Sequence, residues 1–170
     1  MENQKFKFYE INIEYLKYLR KYEKKIMDIS NGKEKRPHIG VVLKISQYYY
    51  LVPLTSPKEK HLKMKNNLDF LKIDGGLLGA VNFNNMFPVI EGYFNEKEIE
   101  AEDDINYKIL LRKQISWCNE NKNREKIYKN AEKLYNEILN KKEKSIFWER
   151  CCNFILLEEK ALEFKNFAEG

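Results

Sequence analysis

The amino-acid sequence predicts an α+β fold: a compact, twisted, mostly antiparallel β-sheet with surrounding helices and a helical C-terminal half. Short β-branched and aromatic runs separated by polar turns fill the first half of the chain, whereas apolar residues at three- and four-residue spacings fill the second half. The chain has 170 residues, 43% of them apolar, which is enough to bury one core. We therefore expect a single domain over residues 1–170.

The predicted sheet is built around a hairpin. Residues 38–45 and 48–54 form two apolar runs, and the polar pair Ser46-Gln47 separates them. Pro53 lacks an N–H group, so it indicates a strand end, an edge or a bulge within the second run. Further strands are predicted at residues 5–11, 69–73, 77–83 and 87–94.

Four helices are predicted around this sheet. The first begins after Asn12, whose side chain is suited to an N-cap. Acidic residues 102–104 precede the second helix, where a helix N-terminus favours negative charge. Residues 127–139 carry the third helix, and Asn153 is the predicted cap of a fourth helix at residues 154–167.

Two polar segments, residues 27–37 and 55–67, are predicted to be neither helix nor strand. Both adjoin the same end of the predicted hairpin, since one enters its first strand and the other leaves its second. Antiparallel pairing therefore brings Arg36 close to Thr55 and Ser56.

The composition excludes several classes of protein. No apolar run is long enough to span a bilayer, and the first residues lack the apolar core of a signal peptide, so the cytoplasm is the expected compartment. The three cysteines, Cys118, Cys151 and Cys152, have no framework spacing and are expected to be reduced and buried. With two histidines in the chain and no Cys/His cluster at metal-ligand spacing, no metal or other cofactor is expected.

The charged residues are sorted along the chain, whose net charge is +5. Residues 58–72 carry five lysines against two acidic residues, whereas acidic residues concentrate at 96–104. Charge sorted in this way can form a basic face that attracts nucleic acid.

The side chains at the predicted hairpin end suit phosphodiester chemistry. RNA supplies its own nucleophile, the 2′-hydroxyl, so a protein that cleaves it needs groups that orient the phosphate, stabilise negative charge and move protons. Arg36 and Lys58 can stabilise the charge, and Thr55 and Ser56 can donate hydrogen bonds to phosphoryl oxygens. His61 is a candidate for moving protons, because the unperturbed pKa of histidine is close to neutrality. No Ser-His-Asp arrangement for acyl transfer is recognisable.

Each of these residues also has a purely structural interpretation. Ser56 can cap a turn, the lysines can belong to a solvated loop, and His61 can simply face solvent. Taken singly, these structural interpretations are preferred. Phosphate handling is favoured because the residues gather at one end of one hairpin in a basic protein.

Several motifs resemble the ToxN/AbiQ family, the endoribonuclease toxins of type III toxin–antitoxin systems. The resemblance is collinear over nearly the whole chain, and the strand followed by "PLTSPK" and a histidine, together with the C-terminal "FILLEEK", makes it specific. The motifs are "FYEINIEYLKYL" from Phe8, "IGVVLKI" and "YYLVPLTSPK" from Ile39 and Tyr49, "LGAVNFNNMFPV" from Leu78, "YKILLRKQ" from Tyr107 and "CNFILLEEKALEF" from Cys152.

The resemblance implies a specific activity and partner. It implies a barrel-like antiparallel sheet similar to that of the small mRNA interferases, and metal-independent RNA cleavage that leaves 2′,3′-cyclic phosphate and 5′-hydroxyl ends, often at adenine-rich sites. It also implies inhibition by a repeated small RNA, a pseudoknot that the toxin cuts from a precursor and holds in a closed protein–RNA assembly. Cellular or phage mRNA would be the substrate, no membrane would be involved, and the biological role would be abortive infection of phage.

The resemblance also assigns residues. The motif hydroxyls fall on Thr55 and Ser56, the following lysine on Lys58, and the family's histidine on His61. The family has lysine before "IG", whereas Arg36 aligns here; arginine is a good phosphate clamp and a poor proton donor. The residues predicted to bind RNA beyond the scissile phosphate are Tyr15, Lys33, Lys35, Lys60, Lys63 and Lys65.

Two other functions remain open from the sequence. An mRNA interferase held by a protein antitoxin would lack a tandem-repeat array upstream of its gene. A non-enzymatic RNA-binding module would not cleave RNA in EDTA, and the chain lacks the glycine-aromatic signatures of common single-strand readers.

Overall fold

A computed structural model describes residues 5–26 and 39–170 of the chain. Within these residues seven strands form one antiparallel sheet in the order β4-β5-β3-β2-β1-β7, and β6 pairs with β3. The strands are β1 (Phe8–Ile11), β2 (Ile39–Ile45), β3 (Tyr48–Thr55), β4 (Phe70–Lys72), β5 (Ala80–Asn82), β6 (Phe87–Val89) and β7 (Phe94–Glu96).

The predicted hairpin is confirmed as β2 and β3. Ile45 pairs with Tyr48 and Gly40 with Pro53, so the two strands are in register along most of their length. Ser46 adopts φ of 55° at the turn, which a two-residue hairpin needs. Pro53 is accommodated within β3, a strand whose second edge is shared between two short partners, β5 and β6.

The predicted helices are also confirmed. Asn12 caps α1 (Ile13–Tyr22) by accepting from two backbone N–H groups, and Asn153 caps α5 (Phe154–Glu169) by accepting from one, that of Leu156. Between them in the chain lie α3 (Ile105–Asn119) and α4 (Asn121–Lys141). Among the described residues no helix is both long and apolar enough to cross a membrane.

Two features differ from the expectations. Residues 55–67 are not free of regular structure, because Thr55 ends β3 and a five-residue helix, α2 (Glu59–Lys63), follows it. The sheet is open in the described part of the chain, since β4 and β7 lie at opposite ends of the strand order and do not pair. The expected barrel closure is therefore not observed.

One hydrophobic cluster joins the sheet to the C-terminal helices. It contains Leu51 of β3, Leu134 of α4 and Leu157 of α5, none of which is exposed to solvent. The three cysteines are free and buried, as expected, and burial raises the pKa of the Cys118 thiol to about 12. These thiols are therefore protonated core residues.

Candidate functional site at the end of strand β3

The two predicted hydroxyl residues lie side by side at the end of β3. Thr55 forms the last pair with β5, opposite Ala80. The chain then leaves the sheet, since Pro57 has no N–H group with which to continue a ladder. Ser56 is the first residue outside the strand and is half-buried at its rim. The sheet therefore places Thr55 and Ser56 side by side at the end of β3, with Ser56 at the rim.

The Thr55 hydroxyl is buried and has no hydrogen-bond partner among the described residues. Leaving a buried hydroxyl unpaired costs about 1 to 3 kcal/mol, so native structures keep few such groups. The residue as a whole is only partly covered. Among the described residues, the end of β3 thus has an unpaired buried donor directly beside Ser56.

Gly79 packs tightly against the backbone of Thr55. A Cβ atom at Gly79 would lie 1.9 Å from the carbonyl oxygen of Thr55, and Gly79 has φ of +96°, which side chains disfavour. Only glycine therefore fits between β5 and the end of β3.

A second contact to this backbone comes from the helical half of the chain. Gln114 of α3 is 3% exposed, and its Nε2 donates to the carbonyl oxygens of Thr55 (3.2 Å) and Leu78 (2.7 Å). The sequence reasoning did not identify Gln114. The sequence pattern that could have revealed Gln114 is its position on the buried face of α3. It lies three residues after Leu111 and four residues before Cys118, both of which are buried.

His61 is not an exposed proton shuttle, which corrects its predicted role. Its side chain is 2% exposed in α2, and its ring lies 5.7 Å from that of Phe70. The backbone N–H group of Lys58 donates to the ring nitrogen Nδ1 of His61 (3.2 Å). The backbone N–H group of His61 in turn donates to the carbonyl oxygen of Lys58 (2.8 Å). Burial first, then the charges of Lys58 and Lys60, hold the pKa of His61 below its ordinary 6.5. A neutral His61 therefore fixes the backbone of Lys58.

The predicted RNA-binding lysines of this segment are exposed as a group. None of the ion pairs within residues 5–26 and 39–170 includes Lys58, Lys60, Lys63 or Lys65. Lys58 also lines a shallow pocket of about 190 Å³ with Pro57, Leu62 and Leu77. The segment therefore combines unneutralised positive charge with an apolar groove next to Ser56.

A larger pocket, of about 380 Å³, lies near the turn of the β2–β3 hairpin and contains none of the predicted site residues. Tyr49, which lines it, is six residues before Thr55 along β3, or about 20 Å at the rise of a strand. Thr55, Ser56 and the lysines of residues 58–65 are therefore at the opposite end of β3 from this pocket.

Tyr15 does not offer its ring to a ligand, which corrects the predicted stacking role. Its side chain has no exposed surface, and its hydroxyl donates to the carbonyl oxygen of Pro88 (2.8 Å). Phe164 of α5 packs against the ring at 5.1 Å. Tyr15 is therefore a core residue that joins α1 to β6 and α5.

Three predicted site residues, Arg36, Lys33 and Lys35, lie outside the described residues. Within the described ranges, no group of three or more His, Cys, Asp and Glu side chains is arranged to hold a metal ion. The groups that the structure brings together are thus Thr55, Ser56 and Lys58, with His61 and Gln114 behind them.

Comparison with known proteins connects this site to a family. The family described as "Toxin ToxN, type III toxin-antitoxin system" matches residues 7–162. Endoribonuclease ToxN of Pectobacterium atrosepticum is 33% identical, over 96% of this chain and 96% of that protein.

Two solved structures share the fold and much of the sequence. The structure of a toxin that a non-coding RNA pseudoknot selectively inhibits has a TM-score of 0.79 and 28% identity, covering 95% of this chain and 99% of the other. A component of a bacterial antiviral system regulated by a processed non-coding RNA has a TM-score of 0.77 and 32% identity, with 92% and 98% coverage. Because the family match spans nearly the whole sequence, this chain belongs to the ToxN toxins of type III toxin–antitoxin systems.

Proposed function

We propose that this chain is an endoribonuclease toxin that cleaves RNA without a metal ion, by attack of the substrate's own 2′-hydroxyl group. The products would be a 2′,3′-cyclic phosphate and a 5′-hydroxyl end. The observation that carries the proposal is the end of β3. There a buried hydroxyl without a partner in the described part of the chain, a rim hydroxyl and an exposed lysine lie close together in sequence at Thr55, Ser56 and Lys58. Membership of the ToxN family supports the same activity.

Each of the three groups has a distinct task in such a reaction. Attack of the 2′-oxygen on phosphorus concentrates negative charge on the non-bridging oxygens, and donors aimed at those oxygens lower the barrier. Ser56 donates to one such oxygen, and Thr55 donates once its rotamer turns toward the rim. The Lys58 ammonium balances the added charge, and it can also protonate the departing 5′-oxygen, since a lysine, unlike an arginine, can give up its proton. The proton of the attacking 2′-hydroxyl passes to solvent water, and water returns a proton to the Lys58 amine.

Arg36 completes the charge around the phosphate in this proposal. It precedes Ile39, the first residue of β2, by three positions, so chain length keeps it within about 11 Å of that residue. Gly40 of β2 pairs with Pro53 of β3, which is two residues from Thr55. A guanidinium group within this reach can bind a phosphate through two parallel hydrogen bonds.

Binding of RNA away from the cut is assigned to the exposed lysines. Lys60, Lys63 and Lys65 can follow the sugar-phosphate backbone of a single strand, as can Lys33 and Lys35. We propose that the inhibitor is a repeat RNA that folds as a pseudoknot, held in a closed protein–RNA assembly that occludes Ser56 and Lys58. The RNA-inhibited toxin and the RNA-regulated antiviral protein that resemble this chain support this partner and a role in phage defence.

We also propose where the toxin acts and to which known sheet its own sheet is related. The substrates, cellular or phage mRNA, are present in the cytoplasm, where we expect the toxin to act. The open antiparallel sheet would be a variant of the small mRNA-interferase sheet, with β3 at its centre.

Cleavage of a defined RNA by the purified chain tests the proposal. An adenine-rich oligonucleotide should be cut in EDTA, and its upstream product should end in a 2′,3′-cyclic phosphate. The same oligonucleotide with 2′-O-methyl groups should bind and remain intact, since it lacks the nucleophile. Binding without cleavage of the unmodified RNA would instead identify an RNA-binding module, and cleavage of the methylated RNA would rule out 2′-hydroxyl attack.

A further inference from the structure

Gln114 lies in the helical half of the chain, yet its side chain ends at the catalytic strand. It is 3% exposed on α3, at a position between the buried residues Leu111 and Cys118. An apolar residue is the usual occupant of such a position, because burying an amide is costly unless it is hydrogen-bonded. The amide at position 114 therefore has a specific use.

That use is visible in its two hydrogen bonds. Nε2 of Gln114 donates to the carbonyl oxygen of Leu78 (2.7 Å) and to that of Thr55 (3.2 Å). A primary amide carries two N–H bonds, so one nitrogen satisfies two carbonyl groups on different segments. Gln114 thus ties the end of β3 to the residues that lead into β5.

The Thr55 carbonyl belongs to the peptide group that joins Thr55 to Ser56. Because that group is planar, fixing its oxygen fixes the orientation of the Ser56 nitrogen and limits where the Ser56 hydroxyl can point. Gly79 packs against the same oxygen, since a Cβ atom there would lie 1.9 Å from it. Two residues therefore hold the Thr55–Ser56 peptide group: Gly79 packs against its oxygen, and Gln114 donates a hydrogen bond to that oxygen.

We propose that Gln114 is a positioning residue for RNA cleavage, which holds the Thr55–Ser56 peptide group so that both hydroxyls meet the scissile phosphate. The inference rests on the proposed function. A displacement of reacting groups by about 1 Å can lower a rate about 100-fold. Loss of the amide should therefore slow the chemical step and leave the binding of RNA by the exposed lysines unchanged.

The test replaces Gln114 with methionine, which keeps the length of the side chain and removes both donors. Lys113→Met on the exposed side of the same helix is the matched control. Single-turnover cleavage of the adenine-rich oligonucleotide is measured with saturating protein, and affinity is measured with the 2′-O-methyl oligonucleotide. Each rate is divided by the folded fraction from near-ultraviolet circular dichroism.

Gln114→Met should cleave about 100-fold more slowly with affinity within about threefold of wild type, while Lys113→Met should match wild type in both. A merely structural role would lower the folded fraction and leave the rate per folded molecule unchanged, and that result overturns the proposal. If wild type and Lys113→Met do not cleave either, the proposed function has failed, which is a different outcome.

A second variant covers the case in which Gln114→Met does not fold. Gln114→Glu has the same shape, but its carboxylate has no donor until it is protonated. Its cleavage rate relative to wild type should therefore rise as the pH is lowered, because the protonated carboxyl recovers one hydrogen bond. A ratio that does not change with pH would overturn the positioning role.

Discussion

Two segments of this protein carry charge of opposite sign and use it in opposite ways. Residues 56–65, which follow β3, contain four lysines and one glutamate, and these lysines form no ion pair with the described residues. Residues 96–104 contain six acidic residues, and three of these, Glu96, Glu100 and Glu102, form ion pairs with neighbouring cations. Lys97 contacts Glu10 (3.0 Å) and Glu102 (3.1 Å), and Arg112 pairs with Glu100.

The difference shows that the neighbours of a charged side chain, rather than its sign, decide whether it joins structural elements or remains exposed to solvent. The Lys97 side chain is 14% exposed between two carboxylates. Burial alone lowers the pKa of Lys97, but the hydrogen bonds and charges of Glu10 and Glu102 together outweigh it and raise the pKa. Lys97 thus joins β7 to β1 and to the start of the helical half. The lysines of residues 56–65 have no such partners within residues 5–26 and 39–170, and their field extends into solvent, where it can attract a polyanion. Substitutions at single residues test this contrast.

The largest effect is expected from Ser56→Ala. Removing one donor to a developing oxyanion costs about 10²- to 10³-fold in rate, so growth arrest by the expressed toxin should disappear. Stability should hardly change, because the hydroxyl is at the rim of the fold. Growth after induction and the cleavage rate of purified protein are the measurements.

Ser116→Ala, at an exposed position of α3, is the matched control and should remain toxic. Undiminished arrest by a folded Ser56→Ala variant would remove Ser56 from the mechanism.

Lys58→Ala and Lys97→Ala should give opposite results. Loss of Lys58 should slow cleavage at least about 10-fold and weaken RNA binding without lowering the melting temperature. Loss of Lys97 should cost about 1 to 2 kcal/mol of stability, between the values of exposed and buried ion pairs, with cleavage per folded molecule unchanged. Denaturant titration and single-turnover cleavage measure both quantities. Equal losses of activity in the two variants would contradict the contrast.

Replacing Lys60, Lys63 and Lys65 together with alanine should change salt dependence more than rate. Each lost contact to a single-stranded phosphate makes the slope of log affinity against log salt shallower by about 0.7. The slope of the triple variant should therefore be shallower than that of wild type by about 2. Arg36→Ala should also give a shallower slope. The measurement is affinity for the 2′-O-methyl oligonucleotide over a salt series. An unchanged slope would place these cations outside the RNA groove.

The smallest effect concerns His61 and appears only in acid. Because the folded-state pKa of His61 lies below its ordinary 6.5, the unfolded chain binds the proton more readily than the folded chain. The contribution of neutral His61 to stability is therefore complete above pH 6.5 and is lost as the pH falls through the lowered value. Protonation also removes the acceptor for the Lys58 N–H group, so cleavage should decline over the same range.

His61→Asn tests this, since its side-chain oxygen can replace Nδ1 as an acceptor and does not titrate. The variant should retain cleavage at pH 7 and show a weaker decline of stability between pH 6.5 and acid. His61→Ala should lose the contact at every pH. An acid dependence that is identical in wild type and His61→Asn would assign it to another group.

The sequence by itself determined most of the secondary structure and the two hydroxyl positions. Asn12 and Asn153 cap helices by accepting from N–H groups two or three residues further on, and the β2–β3 hairpin closes over two residues. Contacts of such short range depend on neighbouring residues, so residue type and spacing reveal them. "LTSPK" likewise places Thr55, Ser56 and Lys58 at a strand exit, because a proline ends the ladder there.

Only the tertiary structure decided which of the predicted side chains are exposed to solvent. Tyr15 and His61 have suitable chemistry for RNA, yet packing against Phe164 and Phe70 buries both, and no local pattern records those distant contacts. The same holds for Gln114, which reaches a carbonyl 59 residues away in sequence. The sheet stays open for a comparable reason, since closure depends on whether its end strands β4 and β7 meet in space, and they do not.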